Sequence, residues 1–175
     1  MNNFNDIRYV DISGISAPVN PLDIDNPYFG HTKLAKKVLM GDMQTIQWID
    51  KDGCRRVLRF NSPIIAAIDS TSNLLIVVLH YSDKQYSRPA NAVAIRQDGA
   101  LDHIVTPPLS VRQVVEKMPG QAEKTTEYPV EAIAEVLEVN DRILLGLNFN
   151  YEWIERRYYD PGKREWQERE KIYRK

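Results

Sequence analysis

The chain has 175 residues, 43% of them hydrophobic and 27% charged, and a formal net charge of −1. This is the size of a single domain with a core that needs no disulfide or metal, and the apolar fraction excludes a disordered chain. The near-neutral charge excludes a global field of the kind that draws a basic protein to nucleic acid or an anionic membrane, so any electrostatic function must come from local patches.

The single cysteine, Cys54, has no internal partner for a disulfide. The opening "MNNFNDIRYVDISG" has neither a basic start nor an apolar stretch of signal-peptide length. Together these lead us to expect a reducing, cytoplasmic location. The longest apolar run, "LLIVVL" at 74–79, falls far short of the roughly 20 residues of a membrane-spanning helix and reads as a buried strand.

In chain order, Pro18, Pro21 and Pro27 lie too close together for a helix or central strand to run through them, so residues 1–30 are expected to form an irregular leader. In "HTKLAKKVLMG", Leu34, Ala35, Val38 and Leu39 recur at helical spacing between Thr32 as N-cap and Gly41 as stop, which predicts a short helix over 31–41. Residues 44–106 read as β hairpins. One turns at Asp52-Gly53, "SPIIAAIDSTSNLLIVVLHY" turns at "DSTSN", and "AVAIRQDGALDHIV" turns at Asp98-Gly99.

Ser110 and Gln113 have the spacing of a capping box, and Val111, Val114, Val115 and Met118 share a helical face before Pro119-Gly120, which predicts a second helix over 110–118. Residues 128–173 read as a final meander around Asp160-Pro161-Gly162. Short connectors favour antiparallel pairing. The expected fold is therefore one mainly β domain over 1–175, an antiparallel meander or sandwich-like sheet of several hairpins with two short helices. The corners at 52, 98 and 160 are unequally spaced, which argues against a propeller of fixed period; shared turn chemistry accounts for their likeness.

Catalytic, cofactor and metal signatures are absent, and none of these sites is expected. Asp98 and Gly99 are explained by the turn, and strict strand alternation places Asp102 and His103 on opposite faces, so they are not expected to act as a dyad. Fitting "DKDG" to a calcium loop puts Trp48 and Arg59 where carboxylates belong. His31, His80 and His103 are widely spread and form no zinc spacing with Cys54. Glycines occur singly, so no phosphate-cradling turn is indicated.

Two patches stand out. Residues 116–141 carry Glu116, Glu123, Glu127, Glu131, Glu135, Glu138 and Asp141 against Lys117 and Lys124, a docking surface for a basic partner or a solvated face. Near the end, Tyr151, Trp153, Arg157 and Tyr159 share one face of a strand and Ile154, Arg156 and Tyr158 the other, a composition suited to an interface or to core aromatics with soluble edges. The candidate partner-binding residues are Glu123, Glu127, Glu131, Glu135, Tyr151, Trp153, Arg157 and Tyr159.

The succession "NLLIVVLHY", "NAVAIRQDGALDHIV", "RILLGLNFN" and "RRYYDPGKREWQ" resembles, over roughly residues 45 to 170, small mainly β immunity proteins of bacteria that neutralise polymorphic or contact-dependent toxins. The resemblance implies a protein that tightly and specifically occludes a cognate toxin domain, with no catalytic centre of its own. The motifs and composition lead us to expect no cofactor and no membrane partner, and a protein rather than nucleic acid as the partner. The net charge departs from the strongly acidic character of many nuclease inhibitors. Two alternatives from other classes are a hydrolase whose residues, Cys54 or a serine with one of the histidines, meet only in three dimensions, and a single-stranded nucleic-acid-binding domain using the final hairpin.

Overall fold

A computed structural model describes residues 4–10, 16–19, 43–116, 124–150 and 153–174. Fourteen strands form four antiparallel sheets, and no helix occurs among the described residues. The first sheet contains β1 (Asn5–Val10), β2 (Ser16–Pro18), β3 (Thr45–Ile49) and β4 (Arg55–Arg59) in the order β2-β1-β3-β4. The central sheet is a meander of β5 (Ile64–Asp69), β6 (Leu74–Leu79), β7 (Ala92–Ile95) and β8 (Leu101–Ile104). A two-stranded arm, β9 (Val111–Glu116) and β10 (Lys124–Pro129), precedes a third sheet, the meander of β11 (Ala132–Val139), β12 (Arg142–Phe149), β13 (Trp153–Asp160) and β14 (Glu165–Arg174).

The central sheet is buried on both faces, as the unbroken apolar run of β6 requires. Leu75, Val77, Leu79, Val93 and Ile95 pack against Tyr9, Met43, Ile46 and Trp48 of the first layer. Ile76, Val78, Ala92 and Ala94 pack against Ile133, Val136, Ile143, Leu145, Leu147 and Phe149 of the third. Burial of each large side chain here contributes roughly 1.5–3 kcal/mol. The three layers are thus stacked face to face.

Two buried polar side chains join the layers. The Tyr9 hydroxyl donates to the Ala66 carbonyl at 3.0 Å and accepts the Ala66 N–H at 2.6 Å, tying β1 to β5. Asn91 donates its amide to the Leu79 and Ile133 carbonyls at 2.6 and 2.9 Å and accepts the Ile133 N–H at 2.8 Å, tying the central sheet to β11. Both are satisfied as a buried polar group must be.

The three corners occupy equivalent positions. Each joins an outermost strand to its neighbour: β3 to β4, β7 to β8, and β13 to β14. At each, an aspartate accepts backbone N–H: Asp50, two residues before Asp52, from Asp52 and Cys54 at 3.0 and 2.8 Å; Asp98 from Ala100 at 3.0 Å; and Asp160 from Lys163 at 3.0 Å. Gly53 and Gly99 take the positive φ, 78° and 87°, that the reversal requires. The third corner is further along the chain from the second than the second is from the first because the arm is inserted between the central and third sheets.

Two expectations are overturned. The capping-box reading of 110–118 fails because Val111, Val114 and Val115 are β-branched and pair along β10, from Val111 opposite Pro129 to Glu116 opposite Lys124. Ser110 Oγ is buried without a partner and caps nothing, and Gln113 instead donates across the hairpin to Glu127 at 2.7 Å. The irregular leader contains β1 in the interior of a sheet, where Tyr9 is fully buried. Its alternation, Ile7 and Tyr9 inward, ends before the prolines, and Pro18 closes the edge strand β2, where a missing N–H is tolerated. The helix expected over 31–41 lies outside the described residues.

Gly146 on β12 has no room for a side chain, since a Cβ there would lie 2.9 Å from the Cβ of Glu135 at a register shift of β11. Gly146→Ala is expected to cost about 1–3 kcal/mol in chemical denaturation; an unchanged midpoint would show that β11 yields freely. Burial opposes ionisation of Asp50, but the Cys54 N–H, Arg56 at 2.8 Å and the Asp52 N–H together hold its carboxyl below the ordinary range. That stabilisation is present above the ordinary aspartate value and lost as pH falls through the lowered one. Asp50→Asn should therefore lower Tm at pH 7, with the gap to the wild type narrowing in acid.

Candidate functional site

The described part of the molecule offers two features built by its topology: the outer face of the arm, and a polar cluster where β8 meets β13. The arm's two faces differ. Arg112 and Tyr128 point back to the body, where the Arg112 guanidinium lies 4.1 Å from the centre of the Trp153 ring and Tyr128 packs on the core between the central and third sheets. The opposite face presents Val111, Gln113, Val115, Thr125, Glu127 and Pro129 to solvent. Val111 and Val115 are 57% and 58% exposed, and Leu109, just before the arm, is fully exposed. Among the described residues, five of the seven exposed large apolar side chains, these three with Leu101 and Ile104 of β8, lie within residues 101–115.

The polar cluster corrects one expectation. Asp102 and His103 are bonded, His103 Nδ1 lying 2.8 Å from Asp102 Oδ2. Ala94 pairs with His103 but Ile95 pairs with Leu101, so β8 bulges at Asp102 and the alternation that would separate neighbouring side chains breaks there. His103 Nε2 in turn lies 2.8 Å from the Tyr159 hydroxyl. The chain is satisfied when Nδ1 carries the proton toward the carboxylate and Nε2 accepts from Tyr159. The bond to His103, with the field of Arg164, outweighs burial and holds the Asp102 carboxyl below the ordinary range. Burial pushes the Tyr159 hydroxyl up to about 12.

An acid, a histidine and a hydroxyl in series are the elements of a nucleophile relay. Here the terminal hydroxyl belongs to a tyrosine only 4% exposed, packed against Trp166 with ring centres 5.0 Å apart. The arrangement joins β8 to β13, and Trp166 adds a second tie by donating to the Thr106 carbonyl at 2.8 Å. Elsewhere His80 Nδ1 lies 2.7 Å from Ser82 Oγ in an exposed turn, with its ring against that of Tyr81, tilted by 40°. Cys54 is a free, exposed thiol at the first corner. His31 lies outside the described residues. Among the described residues no group of three or more His, Cys, Asp or Glu is placed to hold a metal ion, and no helix is long and apolar enough to cross a membrane.

The partner-binding candidates do not form one surface. Glu127 is exposed on the arm. Glu131, at its base, has one buried carboxylate oxygen without a bond. Glu135 is paired to Arg156 at 2.9 Å on the third sheet, and Arg157 is bonded to the buried Glu155. Trp153 is half-buried under Arg112, and Tyr159 is inside the core. Glu123 and Tyr151 lie outside the described residues. The exposed valines of β9 were missed because helical periodicity assigned them to a buried stripe; alternation of Val111, Gln113 and Val115 was the signal available.

Tyr159→Phe is expected to cost about 1 kcal/mol at neutral pH, measured by denaturation, through the lost bond to His103. Because the folded hydroxyl titrates above its unfolded value, its contribution is complete below pH ~10 and lost as pH rises toward about 12. The phenylalanine variant should lose less stability than the wild type across that range; an identical alkaline profile would contradict the placement of Tyr159.

Comparisons of the chain with family models, curated proteins and solved structures find no match.

Proposed function

We propose that this chain is a non-enzymatic protein-binding module of the bacterial immunity type, which neutralises a cognate toxin by direct binding and works in the cytoplasm. The observation that carries the proposal is the outer face of the arm: Val111 and Val115, with Leu109 beside them, stand in solvent on a two-stranded hairpin. A hairpin of two strands is marginal by itself, and its apolar outer face becomes favourable only when something covers it. The arm also brings β10 and the turn after it, the first part of the acidic section, alongside those valines. Glu127 and Glu131 then suit a partner that joins an apolar centre to basic flanks, with the charges steering encounter and the apolar contacts supplying most of the affinity.

The double substitution Val111→Lys with Val115→Lys alters only exposed positions. It should leave the fold intact and weaken binding to a toxin domain encoded beside this gene by about 2 kcal/mol or more. Val57→Lys, on the exposed face of β4, should bind as the wild type does. Undiminished binding by the double variant would remove the arm from the interface. Failure of the wild-type chain to bind or neutralise any neighbouring toxin domain would overturn the immunity reading itself.

A further inference from the structure

The three Asp-Gly corners and the turn between β5 and β6 surround a cleft of about 500 Å³, within the size range of small-molecule sites. It draws on all three stacked sheets: Lys51 from the first, Asn73, Arg96 and Asp102 from the central, Arg164 from the third. We propose that this cleft binds a small anionic ligand, with a phosphate or carboxylate group held between Arg96 and Arg164.

Charge and hydrogen-bonding capacity both point this way. Lys51, Arg96 and Arg164 face two carboxylates, Asp98 and Asp102, so the lining carries an excess of positive charge. Asp102 is already committed to His103 at 2.8 Å. The arginines are loosely held: Arg164 makes one bond to Asp102 at 3.3 Å, and Arg96 stands 3.6 Å from Asp98 and 3.8 Å from Asp102. Both are at least half exposed, and each guanidinium offers five donors in a planar fork that matches the oxygens of a phosphate or carboxylate.

The same chemistry is offered by a free metabolite and by an acidic side chain of a protein partner, and the test separates them. Inorganic phosphate, glucose 6-phosphate and a glutamate-containing peptide are titrated separately at low salt, following the backbone amides of Asn73, Gly99 and Gly162 by NMR. The expected result is saturable shifts confined to the corners, weakened at least tenfold in Arg96→Gln with Arg164→Gln and preserved in Lys163→Gln, whose lysine is exposed beside the cleft. Arg96→Lys with Arg164→Lys, which retains the charge but not the fork, should be intermediate, guarding against a variant that merely misfolds. Tighter binding of glucose 6-phosphate than of phosphate assigns the site to a metabolite; tighter binding of the peptide assigns it to a partner's acidic side chain. Shifts that do not saturate, or that survive the double glutamine substitution, overturn the proposal. Because the probes need neither the toxin nor the arm, this result is independent of the immunity reading.

Discussion

The strand Leu74–Leu79 is buried along its whole length, and that condition decides where the other sheets must go. A sheet with one apolar face is satisfied by one layer; a sheet with two must be enclosed from both sides. The first and third sheets supply those covers, and their own inner faces are the alternating apolar positions of β1, β3, β11 and β12. Asn91 and Tyr9 then set the alignment of the layers, because a buried amide or hydroxyl tolerates fewer arrangements than an aliphatic contact does.

Stacking the sheets has a geometric consequence for function. Each sheet reverses at an Asp-Gly corner in the same position, so turns distant in the chain gather around one cleft. The arm, inserted between the central and third sheets, contributes its inner face to the body through Arg112 and Tyr128, while Val111 and Val115 on its outer face are exposed. The described residues thus present two surfaces of opposite character: an apolar, partly acidic strand pair, which we propose meets a protein, and a polar cleft lined by Lys51, Arg96 and Arg164, which we propose meets an anion. The Asp102–His103–Tyr159 chain lies beside the second and braces the sheets that form it.

Much of this fold was legible in the sequence because period-two patterning and turn residues are local signals. The corners at Asp52-Gly53, Asp98-Gly99 and Asp160-Gly162 and the buried strand at 74–79 follow directly from them. The errors arose where a local signal competed with pairing. Ser110 and Gln113 imitate a capping box, yet three β-branched valines with a partner strand prevailed. The prolines after Val10 concealed the alternation of Ile7 and Tyr9. The contact between Asp102 and His103 depends on a bulge against β7, which no residue of β8 announces by itself. The cleft was illegible for a different reason: Lys51, Asn73, Arg96 and Arg164 come from four turns in three sheets, and only the stacking order brings them together.

Native-state hydrogen exchange tests most directly the claim that a doubly covered central sheet holds the molecule together while the arm stands open for a partner. The amides of β6 and β7 should exchange only through global unfolding, and those of β9 and β10 through local opening at a much lower free energy. Protection of the arm equal to that of β6, or opening of β6 before the arm, would contradict the account.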